Sequence, residues 1–308
     1  MTSIADGARL EIGDTLSPAL EAAFEAAALA TEVPERQYVG SLLDRVQRRE
    51  LRVLSWLSAG AVAGGVCYRV VDDEAELIYG FLTPAFAGAE AAFLREIVGA
   101  LARSGARVVR SGLSWPGRDR FAGAAAALGF AAASRLSMAR EVDEGLMFSY
   151  SPSPGINVRP WSPADFGAVA RLMHEAATPS DRSVYPLFAT PEGSRAMLLS
   201  IIQDRHGLFM PGLSAIAEVG GTVVGFVLCS LLADGSVLVI DIAVDGGLRR
   251  RGVASRLLQY LISRCAILGK RQIALAVTAD NAAAIGLYQK MGFRTVTAFD
   301  QHVLKIGP

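Results

Sequence analysis

The run Val237-Leu-Val-Ile-Asp-Ile-Ala-Val244 is β-branched and apolar apart from Asp241, which predicts a central strand buried on both faces. The period then changes. After Asp245-Gly-Gly-Leu-Arg-Arg-Arg-Gly252, the residues Val253, Leu257, Leu258, Leu261, Ile262, Cys265 and Leu268 recur at helical spacing until Gly269 ends the helix. A second strand follows, and then a helix beginning near Ala282 that runs into Tyr288-x2-Met291-Gly-Phe293. Upstream, Asn157-Val-Arg-Pro160 predicts a strand, with Ser162 as cap and Pro163 as first residue of a helix that continues over 168–177. A further helix is expected over 190–204, and the intervening segment 179–188 is polar and aromatic at once.

The same order of elements occurs earlier in the chain. Ala61-Val-Ala-Gly-Gly-Val66 aligns with Thr222-Val-Val-Gly-Phe-Val227 at a shift of 222 − 61 = 161, and Leu128-Gly-Phe130 aligns with Met291-Gly-Phe293 at 293 − 130 = 163. The chain therefore reads as an internal duplication. Between those anchors a strand is expected over 76–82, a helix over 87–102, a strand over 107–111, an Ala-rich helix to Leu128 and a strand over 130–138. The Pro- and Ser-rich stretch 144–156 reads as a linker, so the expected domains are 1–146 and 156–308, joined by 147–155. A length of 308 residues suits two domains of this size.

Composition narrows the classes. The 30 basic and 30 acidic residues cancel, and no basic block occurs outside 249–251, so neither nucleic acid nor a membrane surface is expected as a partner. Long uncharged stretches carry internal Gly or Ser and fall short of a membrane span. The start, Met1-Thr-Ser-Ile-Ala-Asp, has no basic region ahead of an apolar one, so no secretory leader and a cytoplasmic location are expected. Cys67, Cys229 and Cys265 lie singly in apolar segments, and His174, His206 and His302 are dispersed, so reduced thiols and no metal are expected. A monomer or a homodimer fits equally.

The candidate chemistry sits at 237–293. Gly252 and Ala254 fall in the first turn of a helix, where small side chains let an oxygen-rich anion reach unpaired N–H groups, with Arg249, Arg250 and Arg251 beside it. Arg249-x-x-Gly252-x-Ala254 after an apolar strand, followed by helix, strand and Asn281-x6-Tyr288-x4-Phe293, resembles the GNAT superfamily of acyl-CoA-dependent N-acyltransferases. The resemblance covers 156–306 and implies an α/β (α+β) fold in each copy: a mixed, mostly antiparallel twisted sheet flanked by helices. It further implies acetyl-CoA as co-substrate, with its pyrophosphate on the amides of Arg249, Arg250, Arg251, Gly252, Val253, Ala254 and Ser255. The strand before the turn would splay from its neighbour and pair with the pantetheine arm along Ile242, Ala243 and Val244. Tyr288 would protonate the departing thiolate.

Several positions stay open at this level. Tyr288 also fits an inward stripe with Ile285 and Met291, and Asn281 is either a cofactor contact or a helix N-cap. The position expected to align with the family's best-known glutamate holds Leu238, so Asp241 is the nearest general base, directly or through water, unless its role is structural. In such proteins the segment joining the first two helices overhangs the acceptor, which makes Asp181, Tyr185 and Phe188 acceptor-site candidates against a plain surface loop. The first copy has Phe86-Ala-Gly-Ala-Glu-Ala in place of the arginine turn, and the counterpart of Tyr288 is Ala125, at 288 − 163. It is expected to be a degenerate scaffold. The expected activity is transfer of acetyl to a primary amine of a small molecule or peptide. A coenzyme-binding module without turnover, and an acyltransferase with another acyl-CoA or a mycothiol-type acceptor, are the other two classes.

Overall fold

The computed structural model describes residues 8–13, 15–29, 33–113, 115–143, 155–232 and 234–307. Along the first copy run β1 (Ala8–Gly13), α1 (Pro18–Leu29), α2 (Val33–Gln47), β2 (Arg52–Ser58), β3 (Ala61–Val71), β4 (Glu74–Leu82), α3 (Glu90–Arg103), β5 (Val108–Ser111), α4 (Arg118–Ala127) and β6 (Ala131–Glu141). The second copy has β7 (Asn157–Pro160), α5 (Phe166–Ala176), α6 (Pro179–Val184), α7 (Pro191–Ile202), β8 (Leu208–Phe209), β9 (Ala215–Val219) and β10 (Thr222–Leu231). It closes with β11 (Val237–Val244), α8 (Val253–Ile267), β12 (Gln272–Thr278), α9 (Ala282–Lys290) and β13 (Arg294–Lys305). The expected helix over 87–102 starts three residues late because Gly88 adopts a φ of +100°. The segment 179–188 is ordered as α6 and a 3-10 turn, its start fixed by a capping box between Thr178 and Asp181. Most of the expected linker, 144–154, lies outside the described residues.

Two compact units form, and they do not follow the halves of the sequence. One comprises 1–132 with 300–308, the other 133–299. In the first, β4 and β5 pair in parallel and β5 is flanked antiparallel by His302–Lys305 of β13. In the second, β11 and β12 pair in parallel and β12 is flanked antiparallel by Arg135–Glu141 of β6. Each copy thus supplies the outermost strand of the other's unit. The expected domains 1–146 and 156–308 therefore differ in extent from these units: the sequence predicts a strand at 130–138 but does not say which edge it joins.

Backbone irregularities repeat between the copies. In β10–β11, Leu228 pairs with Asp241 and Cys229 with Val239, leaving Ile240 unpaired; in β3–β4, Cys67 pairs with Tyr79 and Tyr68 with Leu77, leaving Ile78 unpaired. The two bulges are related by 240 − 78 = 162 and make Tyr79 the counterpart of Asp241. The helix ends match too. Phe130 N–H donates to Ala125 O and Phe293 N–H to Tyr288 O, both at 3.0 Å, with Gly129 and Gly292 at φ of +84° and +83°. These shared features support the duplication more firmly than the short sequence matches.

In the second unit, two apolar clusters cover opposite faces of the sheet. α8 and α9 contribute Leu257, Leu261 and Tyr288 to one, while α5 and α7 contribute Leu172, Met173 and Leu198 to the other, against Phe226, Leu228 and Ala243. The ladder between β11 and β12 covers only Val237–Val239 against Ile273–Leu275. Beyond it the two strands diverge.

Candidate active site

The start of α8 is prepared for an anion. Gly252 is its N-cap at φ +86°, no side chain caps the helix, and no acidic residue stands in the first turn. A Cβ at Gly252 would meet nothing within 4 Å, so glycine is needed for its conformation rather than for space. Arg250 also has a positive φ, 63°, while Arg249 donates from Nη2 to Ala176 O at 3.2 Å. Arg249, Arg250 and Arg251 are exposed, and the Val253 side chain is buried in the core, so Val253, like half-buried Ala254 and Ser255, offers a ligand its backbone. The corresponding start of α3 is already filled. There the buried Glu90 carboxyl pairs with Arg120 at 2.7 Å, and although burial raises its pKa, hydrogen bonds from the N–H of Glu90, from Arg120 and from the N–H of Gly88 hold it below the usual carboxylate value.

A cleft of about 800 Å³ opens where β11 and β12 part, lined by Ile240 to Val244 on one strand and Ala276 to Thr278 on the other. Arg249 and Asn281 line it as well. Asp241 reaches the cleft because the bulge at Ile240 resets the alternation and places it opposite Leu228, whose face packs against α5 and α7. Desolvation, reinforced by the charge of Asp181 and opposed by the N–H of Ile242, pushes Asp241 up to about 7. A carboxyl poised there exchanges protons near neutrality. Tyr288 keeps 7% of its surface exposed, packs on Phe293 with ring centroids 5.9 Å apart, and also lines the cleft. Burial raises its pKa, Asp241 adds to the rise and Arg135 opposes it, so the phenol holds its proton.

The remaining wall comes from 176–188 and β6. Asp181, Tyr185 and Phe188 line the cleft, and the Asp181 carboxylate also accepts from Thr178 N and Oγ1 at 3.0 and 2.7 Å. Asn281 accepts from Ala284 N at 3.1 Å and caps α9, so its observed bond is structural even though it borders the cleft. Arg135, Thr278 and His206 line the same space without having been singled out in the sequence. Arg135 had one signal: a guanidinium among the small and apolar residues of 130–138. A shallower hollow of about 340 Å³ is bordered by Glu218, already paired with Arg159 at 2.7 Å, and carries no comparable chemistry.

With the cleft, the bulged strand and the anion-ready helix defined, comparison is informative. Residues 174–293 match the acetyltransferase (GNAT) family. The chain carries a GNAT domain. The [ribosomal protein bS18]-alanine N-acetyltransferase of Escherichia coli (strain K12) is 36% identical over 77 residues, which is 25% of this chain and 51% of that protein. The chain thus spans about half the length of the curated relatives it matches. A GCN5-related N-acetyltransferase from Sphaerobacter thermophilus shares the fold with a TM-score of 0.66 at 20% identity, over 99% of this chain and 98% of that one. A tandem GNAT protein from the clavulanic acid biosynthesis pathway aligns with a TM-score of 0.50 at 14% identity over 98% and 99%. The GNAT domain lies wholly within the unit that holds the cleft, and its open helix start fits a pyrophosphate.

Proposed function

We propose that the chain is an N-acyltransferase that moves acetyl from acetyl-CoA to a primary amine of a small molecule or peptide by direct attack. One observation carries this reading: Asp241 and Tyr288 line a single cleft formed by diverging parallel strands that ends at Val244 and Arg249, beside an uncapped helix start.

Acetyl-CoA would supply an activated acetyl thioester, whose carbonyl carbon gains the amine nitrogen as its bond to sulfur breaks. The amides of 249–255 would hold the pyrophosphate, and Ile242, Ala243 and Val244, beyond the end of the β12 ladder, would present backbone groups to the pantetheine arm. Asp241 takes a proton from the attacking amine. At about 7 its carboxyl is ionised in a useful fraction at neutral pH and still basic enough to accept. Tyr288 holds its proton on Oη for the departing sulfur, which spares the product a buried thiolate. In the other unit, Tyr79 occupies the position of Asp241, Ala125 that of Tyr288, and Glu90 fills the helix start, so a single coenzyme per chain is expected.

A library of primary amines incubated with acetyl-CoA, read by free-thiol release, tests this. Amine-dependent release is expected. Calorimetric binding of coenzyme A without release for any amine would support a binding module instead.

A further inference from the structure

Arg135 belongs to β6, the strand that the first copy contributes to the active unit, and pairs with Thr278 across the ladder to β12. Only 5% of its surface is exposed. Its Nη1 donates to Thr278 Oγ1 at 3.0 Å, its Nη2 to Ala276 O at 3.2 Å and to Tyr185 Oη at 3.4 Å, and its guanidinium lies 5.5 Å from the Tyr185 ring centroid. All of these partners are neutral. Among the described residues Nε has no hydrogen-bond partner, and no carboxylate forms an ion pair with this guanidinium. A permanent cation buried in a cleft wall without a counter-ion is strongly disfavoured unless a ligand completes it.

We infer that the acceptor amine carries a carboxylate, which Arg135 binds; this rests on the acyltransferase reading above. The other charges in the cleft fit a zwitterion. Asp181 and Asp241 line the same space and suit the ammonium end of the acceptor, while Arg135 suits its anionic end. Three of the five guanidinium N–H donors are engaged, the longest contact being to Tyr185 Oη at 3.4 Å, so one small anion suffices to complete the site. The degenerate copy therefore shapes acceptor choice, through its exchanged strand, without chemistry of its own.

The test uses the full chain and a ladder of ω-amino acids from glycine to 6-aminohexanoate, each matched with its carboxamide. Both turnover with acetyl-CoA and calorimetric binding to the protein with coenzyme A are measured. At least one carboxylate should exceed its carboxamide by about 10²-fold in kcat/KM, mainly through KM, or in binding constant. Arg135→Gln should bring that ratio to near unity while coenzyme A affinity is kept, and Arg135→Lys should restore part of it. Carboxamides or peptide amides used as well as carboxylates, or a preference that survives Arg135→Gln, would overturn the inference. An equal loss for every acceptor with the ratio unchanged would also overturn it and leave Arg135 a structural tie. Selective carboxylate binding with no turnover would uphold the inference and count against acyl transfer, so the two failures are distinct.

Discussion

Asp241 pairs with Leu228 across the β10–β11 ladder, and the next pair, Cys229 with Val239, skips Ile240. That extra residue decides which face Asp241 occupies. Without it, a carboxylate in the middle of a β-branched strand would alternate onto the side packed by α8. With it, Asp241 meets the cleft beside Asp181, and the same backbone device in the first copy presents Tyr79. Both copies keep the bulge, and only one carries an acid there.

The first prediction concerns pH. Asp241 accepts a proton only when ionised, so kcat/KM should rise with pH through an acidic limb near 7. Asp241→Asn should remove that limb along with most activity. Asp181→Asn removes a neighbouring negative charge and should shift the limb to lower pH, as pH–rate profiles would show. A limb unmoved in both variants would exclude Asp241 as its source.

Stability should show the reverse trend. The folded value near 7 lies above the ordinary 3.8, so the neutral carboxyl stabilises the fold fully below about pH 4, and this contribution is lost as pH rises through 7. The thermal midpoint of Asp241→Asn relative to wild type should therefore climb between pH 4 and 7 and then level off. A difference that is flat with pH would contradict the burial of this charge.

Tyr288→Phe keeps the ring against Phe293 and deletes only the donor. Turnover should fall by about 10² with little change in thermal midpoint or in acetyl-CoA binding. Loss of stability with turnover intact would make Tyr288 a core aromatic and nothing more.

The strand, turn and helix at 237–267 were legible because each signal is local: a β-branched run, glycine with arginines, and helical spacing stopped by Gly269. Asp241 was legible within that segment, and Tyr288 in the helix that follows the next strand. Arg135 was not, since its place depends on an exchange of strands between residues 140 positions or so apart, which local periodicity does not encode. Nor was the bulge at Ile240, because an extra residue in a strand buried on both faces leaves no break in the apolar pattern. Asn281 shows the opposite case. Its cap to Ala284 is local, and the sequence offered it on equal terms with a ligand contact.

Gly252 supplies the fourth prediction. Its φ of +86° strains any β-branched side chain, so Gly252→Val should lower the thermal midpoint as well as acetyl-CoA affinity. Asn tolerates this region and the added Cβ has open space, so Gly252→Asn should fold normally. Its side chain would then compete for the N–H groups of α8 and weaken acetyl-CoA binding in calorimetry. Undiminished affinity in Gly252→Asn would remove the pyrophosphate from this helix start.

The most direct measurement of acyl transfer is a product balance: the full chain, acetyl-CoA and an accepted amine, with released thiol and acetylated amine quantified together by absorbance and mass spectrometry. One N-acetylated amine should form per thiol released, at a rate reduced by about 10² in Tyr288→Phe. Thiol release without acetylated amine would contradict acyl transfer, and product formation at the parent rate in both Tyr288→Phe and Asp241→Asn would contradict the roles given to these two residues.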